Sequence, residues 1–89
     1  MIIHRNIYIE GKVQGVFYRA SAKEFADALQ LNGWIYNTAD GNVQAYVSGE
    51  ESLVMKFINW CKQGPPLAEV KNVSVHDCQF EEVTGFHVK

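Results

Sequence analysis

Arg19 closes a stretch, Gly11-Lys12-Val13-Gln14-Gly15-Val16-Phe17-Tyr18-Arg19, whose residue types suit the capture of a small anion. Glycine permits backbone conformations in which successive N–H groups converge on one point. A helix beginning just after Arg19 would add about half a positive charge at the same place. The guanidinium offers a planar fork of donors able to grip two phosphate oxygens at once. Such a site needs neither a basic surface nor a metal. The same residues also admit a plainer use, since glycines between a strand and a helix serve a turn and an arginine at a helix start is commonly solvated. The Walker spacing G-x-x-x-x-G-K-[ST] is absent, and the four-residue offset of Gly11 and Gly15 does not form a dinucleotide fingerprint.

Asn37 is the second candidate. Its side-chain amide can hold a water or, equally, satisfy the backbone of the turn that follows. The remaining polar residues read as structural or solvated. His4, His76 and His87 are dispersed, with no metal-ligand spacing. No serine sits in a nucleophile elbow. Glu50-Glu51 and Glu81-Glu82 are sequence neighbours rather than an acid/base couple, Lys12 and Lys23 can add only positive potential, and Trp34 and Trp60 suit packing.

The elements that must position these residues follow from the patterning. Ile7-Tyr8-Ile9 alternates as a strand ending near Gly11. Ser21-x-x-Glu24 offers a capping box, and Ala22, Phe25, Ala26 and Leu29 recur at helical spacing up to Asn32-Gly33. Trp34–Ala39 and Asn42–Ser48 are β-rich and flank Asp40-Gly41, the signal for a two-residue type I′ hairpin. Val54, Phe57, Ile58 and Cys61 predict a second helix that Gly64-Pro65-Pro66 stops. Val70, Val73 and Val75 predict a fourth strand, and Phe86 with Val88 a short last one. The expected architecture is α+β: a ferredoxin-like βαββαβ sandwich, an antiparallel sheet with both helices on one face. That fold hosts many functions and names none.

Eighty-nine residues allow one domain, residues 1–89, that buries about 60–65% of its unfolded surface. With 47% hydrophobic and 20% charged residues the chain falls in the globular class. The net charge of −2 and the lack of any Lys/Arg run argue against nucleic acid or an anionic membrane as partner. The start, Met1 to Asn6, breaks its apolar stretch with His4 and Arg5, unlike a signal peptide, and no apolar run approaches a membrane span. Cys61 and Cys78 read as two reduced thiols. The expectation is a cytoplasmic monomer.

Ile9-Glu10-Gly11-Lys12-Val13-Gln14-Gly15-Val16-Phe17-Tyr18-Arg19 resembles the acylphosphatase signature [LIV]-x-G-x-V-Q-G-V-x-[FY]-R at every specified position. A second family pattern, G-[FYW]-[AVC]-[KRQAM]-N-x-x-x-G-x-V with a later G, is matched by Gly33, Trp34, Asn37, Gly41, Val43 and Gly49, while Ile35 and Tyr36 depart from it. The departures put substrate preference and rate in question rather than the reaction. The resemblance covers essentially the whole chain. It implies hydrolysis of acyl phosphates without a cofactor or metal. Backbone amides across Gln14, Gly15, Val16, Phe17, Tyr18 and Arg19, with the Arg19 guanidinium, would hold the phosphate or a similar anion, and Asn37 would orient the water.

Two rivals share the βαββαβ order. An RNA-recognition module would use Tyr8 and Tyr46 for stacking, but Asn42–Val47 lacks the basic-glycine-aromatic run of such domains. A ligand-holding domain without turnover, like the acylphosphatase-like domain of hydrogenase maturation factors, would keep the cradle. Having both Arg19 and Asn37 favours catalysis.

Overall fold

Ile7 and Ile9 alternate with Tyr8 and Glu10 and are both fully buried, so one face of their strand belongs to the core. The computed structural model describes all 89 residues as β1 (Ile2–Lys12), α1 (Tyr18–Ala28), β2 (Asn32–Asn37), β3 (Val43–Glu50), α2 (Glu51–Gln63), β4 (Glu69–Asp77) and β5 (Phe86–Val88). The sheet order is β4-β1-β3-β2-β5. All neighbours are antiparallel except β2 and β5, which pair in parallel and make the sheet mixed. This is the ferredoxin-like sandwich expected from the patterning, with one correction: the sheet is not wholly antiparallel, because β5 joins the free edge of β2 in parallel.

Cross-strand register sorts the two faces. Ile7, Ala45 and Ile35 lie side by side across β1, β3 and β2, as do Ile9 and Val43. They pack with Ala22 and Ala26 of α1 and with Val54, Phe57, Ile58 and Cys61 of α2 in one cluster. Both helices therefore cover the same face, with buried positions at i, i+4 and i+8 in α1 and at i, i+3, i+4 and i+7 in α2. The opposite face carries Asn6, Tyr46 and Trp34 in one row and Tyr8, Gln44 and Tyr36 in the next. The segment between β4 and β5 crosses it: the Glu81 amide donates to the Tyr46 hydroxyl at 2.8 Å, and Trp34 Nε1 donates to Glu81 Oε1 at 2.9 Å. Tyr46 is wholly buried and presents no ring for stacking a base.

Three local expectations are corrected. Helix α1 does not start from a capping box at Ser21; it begins at Tyr18, with Phe17 in the N-cap position and no side-chain cap. The cause is burial, because Tyr18, Ala22 and Ala26 form one i, i+4, i+8 stripe and all three are core residues. Nor does the helix end on Asn32-Gly33, which open β2 instead. Gln30 turns the chain at φ 55°, and the amides of Gln30 and Leu31 donate to the Asp27 and Ala26 carbonyls, a Schellman closure. The hairpin, lastly, is not a two-residue type I′ turn. Thr38 N–H donates to Asn42 O at 2.9 Å and encloses Ala39-Asp40-Gly41, in which only Gly41 has positive φ. A three-residue loop needs a single left-handed residue, and Asp40 is spared that conformation.

Candidate active site

Between β1 and α1 the chain makes the loop Val13–Phe17. Val13 and Val16 plunge into the core, 1% and 5% exposed, and fasten the loop at both sides. Gly15 takes φ 75°, a conformation an L side chain resists. Phe17 takes φ 66° although it has a side chain, and its ring is 74% exposed. Behind it the Tyr18 hydroxyl donates to Cys61 O at 2.8 Å, which locks the start of α1 onto α2. Burial holds the Tyr18 phenol far above its ordinary range, so this donor keeps its proton.

The loop leaves donors free. The N–H groups of Gly15, Val16 and Phe17 donate to no backbone carbonyl or side chain of the protein. The first amides of α1 have no partner within the helix by construction, and no side chain caps them. Arg19, in the first helical turn, spends Nη1 on the Lys89 carbonyl at 2.8 Å and retains further donors on the same fork. An array of N–H groups, a helix start and a half-buried guanidinium favours a compact oxyanion.

Asn37 ends β2 across from this loop. Its Oδ1 is buried and has no hydrogen-bond partner in the protein. An unsatisfied buried acceptor costs about 1–3 kcal/mol unless something bound supplies the missing donor. Arg19 and Asn37 line one pocket of about 340 Å³, with Val13, Gly15, Phe17, Tyr18, Ala20 and Val88. Two residues read as part of the cradle place their side chains elsewhere: Val16 is core, and Gln14 reaches the hairpin. Sequence reasoning did not single out Val88 or the Lys89 carbonyl, which only the parallel β2–β5 pairing brings here.

Other polar candidates are engaged or remote. Lys23 Nζ binds Asp27 Oδ2 at 2.9 Å and Phe86 O at 3.0 Å. His4 packs edge-on to Phe80, and His87 Nε2 lies 2.6 Å from Thr84 O. Cys61 is buried, Cys78 half-buried, and both are free. Ile35, the first departure from the second family pattern, is fully buried in the core. Tyr36, the other departure, donates its hydroxyl to Gln44 Oε1 at 2.8 Å, and neither residue lines the pocket.

The acylphosphatase family model matches residues 5–88, which includes the whole cradle and hairpin. The chain belongs to the acylphosphatase family. It is 46% identical over 87 residues to an acylphosphatase of Acaryochloris marina, covering 98% of this chain and 94% of the relative. The solved structure of an acylphosphatase from Coxiella burnetii superposes with a TM-score of 0.94 at 36% identity, covering 99% of this chain and 93% of that one. Full-length HypF, solved in a phosphate- and nucleotide-bound form, contains a similar region: TM-score 0.92 and 31% identity over all of this chain but 12% of its own. As a member of the family the chain is an enzyme, a hydrolase. No helix is long and apolar enough to cross a membrane.

Proposed function

We propose that this acylphosphatase hydrolyses the carboxyl–phosphate bond of small acyl phosphates without a metal, with Arg19 binding the phosphoryl group and Asn37 orienting the water. The observation that carries this reading is one pocket holding the Arg19 fork and the unpartnered Asn37 Oδ1, beside free amides from Gly15 to Phe17. Phosphoryl oxygens accept from those amides and from the guanidinium. A water donates one hydrogen to Asn37 Oδ1, which turns its lone pair toward phosphorus. The water oxygen bonds to phosphorus as the bond from phosphorus to the acyl oxygen breaks, and the carboxylate departs with the bonding pair. A phosphoryl oxygen takes the water's proton, leaving carboxylate and inorganic phosphate. A carboxylate leaves readily, so no general acid is called for, and positioning with charge stabilisation supplies the acceleration.

The test is hydrolysis of benzoyl phosphate in EDTA, followed by the loss of anhydride absorbance, for the wild type, Arg19→Ala and Asn37→Ala. Metal-independent turnover that collapses in both variants is expected. Full activity in Arg19→Ala would sink the assignment. The likeness to part of HypF supports a second reading, a domain that holds a phosphate compound without turnover. Bound phosphate with no hydrolysis by the wild type would favour it.

A further inference from the structure

The Gln14 side chain does not face the cradle its backbone belongs to. Its single amide nitrogen donates to Thr38 O at 2.9 Å and to Asn42 O at 2.8 Å. A primary amide nitrogen carries two hydrogens, and each has its own carbonyl here. Those carbonyls are the two that close the hairpin. Thr38 O also accepts from the Gly41 amide at 3.2 Å, and Asn42 O from the Thr38 amide at 2.9 Å. Thr38 directly follows Asn37, so the register of this turn sets where the Asn37 side chain stands. A longer bond, Gly11 N–H to Asn42 Oδ1 at 3.4 Å, ties the end of β1 rather than the loop itself to the same turn.

Without Gln14, the loop would keep no hydrogen bond of its own to the hairpin turn, which would be held only through β1. The partners of a displacement reaction would then sit on separate segments, phosphate on one and water on the other. We infer that Gln14 is a positioning residue that sets the distance between the phosphate cradle and the Asn37 water by clamping the β2–β3 turn to the β1–α1 loop. The inference rests on the proposed roles of Arg19 and Asn37 and adds the part that keeps them in register. An error of about 1 Å in such an alignment costs up to about a hundredfold in rate.

The clamp predicts a split that loss of general stability would not give. Gln14→Met keeps the length and apolar stem but has no donor. Its kcat should fall about tenfold or more, while inhibition by inorganic phosphate, which needs only the cradle, should change by less than about twofold. In the double variant Gln14→Met with Asn37→Ala, kcat should match Asn37→Ala alone, because a clamp has nothing left to position. Gln14→Glu supplies an independent readout should Gln14→Met fail to fold. Its carboxylate would face two carbonyl oxygens, so its kcat relative to wild type should be low at about pH 7 and recover toward about pH 5, where the protonated acid again donates. Equal losses of kcat and phosphate affinity, fully multiplicative losses in the double variant, or a flat ratio for Gln14→Glu would each overturn the clamp. Wild-type turnover by Asn37→Ala would instead break the water-positioning role itself, which is a separate result.

Discussion

Both ends of α1 are turned by a residue other than glycine in the left-handed region, and they differ in what the turn leaves behind. At the C-terminal end Gln30, at φ 55°, brings two amides onto the last carbonyls and seats Leu31 in the core at 2% exposure. At the N-terminal end Phe17, at φ 66°, brings no cap: the amides around it stay free and its ring stays in solvent. Each conformation costs about 1 kcal/mol. At Gln30 the cost is offset within the fold by hydrogen bonds and burial. At Phe17 no intramolecular return is visible, and the free donors lie beside Arg19 and Asn37. Strain with satisfied bonds closes a helix, whereas strain with open donors is the feature on which the proposed anion site rests.

The widest gap between the two ends is electrostatic. Arg19→Ala should lower kcat/KM by about 10²–10³-fold in steady-state hydrolysis. A loss below about tenfold would mean that the amides alone bind the phosphoryl group. Inorganic phosphate at about 100 times its dissociation constant should stabilise the wild type by about 2.7 kcal/mol, read as a rise in melting temperature. Arg19→Ala should lose most of that rise at the same concentration, and an unchanged rise would place the anion elsewhere.

A smaller effect concerns the anchor behind the cradle. Burial pushes the Cys61 thiol from its ordinary value of 9.0 up to about 12. The folded protein keeps the proton that the unfolded chain loses, so this stability is complete below pH 9.0 and is lost as pH rises toward 12. Near pH 10 the loss should reach about 1 kcal/mol in denaturant melts. Cys61→Ser, which does not titrate there, should reduce that slope and leave the part that the buried Tyr18 phenol contributes above pH 10.0, and an unchanged slope would contradict the shift.

The smallest effect is the most diagnostic of the two ends. Gln30→Gly should raise stability by about 0.5–1 kcal/mol and leave kinetics alone, since it relieves strain where nothing binds. Phe17→Gly should relieve similar strain yet raise the inhibition constant of phosphate, because a freer loop holds its amides in place less well. Identical behaviour of the two variants in both assays would erase the contrast.

The sheet was legible because its signals are local: alternation at Ile7–Ile9 and helical spacing at Val54–Cys61 give the layers. The glycines before Arg19 mark a strand-to-helix loop, which the structure has at Val13–Phe17, and the loop's use as an anion site is suggested by family resemblance rather than by spacing. What escaped depends on distant partners. Ser21 and Glu24 look like a cap, but burial of Tyr18 against Cys61 draws the helix start back to Phe17. Nothing near Phe17 or Gln30 favours the left-handed conformation that the surrounding structure imposes on them. Gln14 reads in the sequence only for its backbone amide, and nothing local points its side chain to the hairpin, 24 residues on at Thr38, which takes its donors. Tyr46 reads as an open-face ring until Glu81 covers it.

The most direct test of the central contrast is a titration of ¹⁵N-labelled protein with inorganic phosphate, followed by the backbone amide resonances. Shifts concentrated at Gly15, Val16, Phe17 and Arg19 with one common dissociation constant, and none at Gln30 or Leu31, are expected. Saturable shifts that bypass the β1–α1 loop, or no saturable shifts at all, would contradict the account.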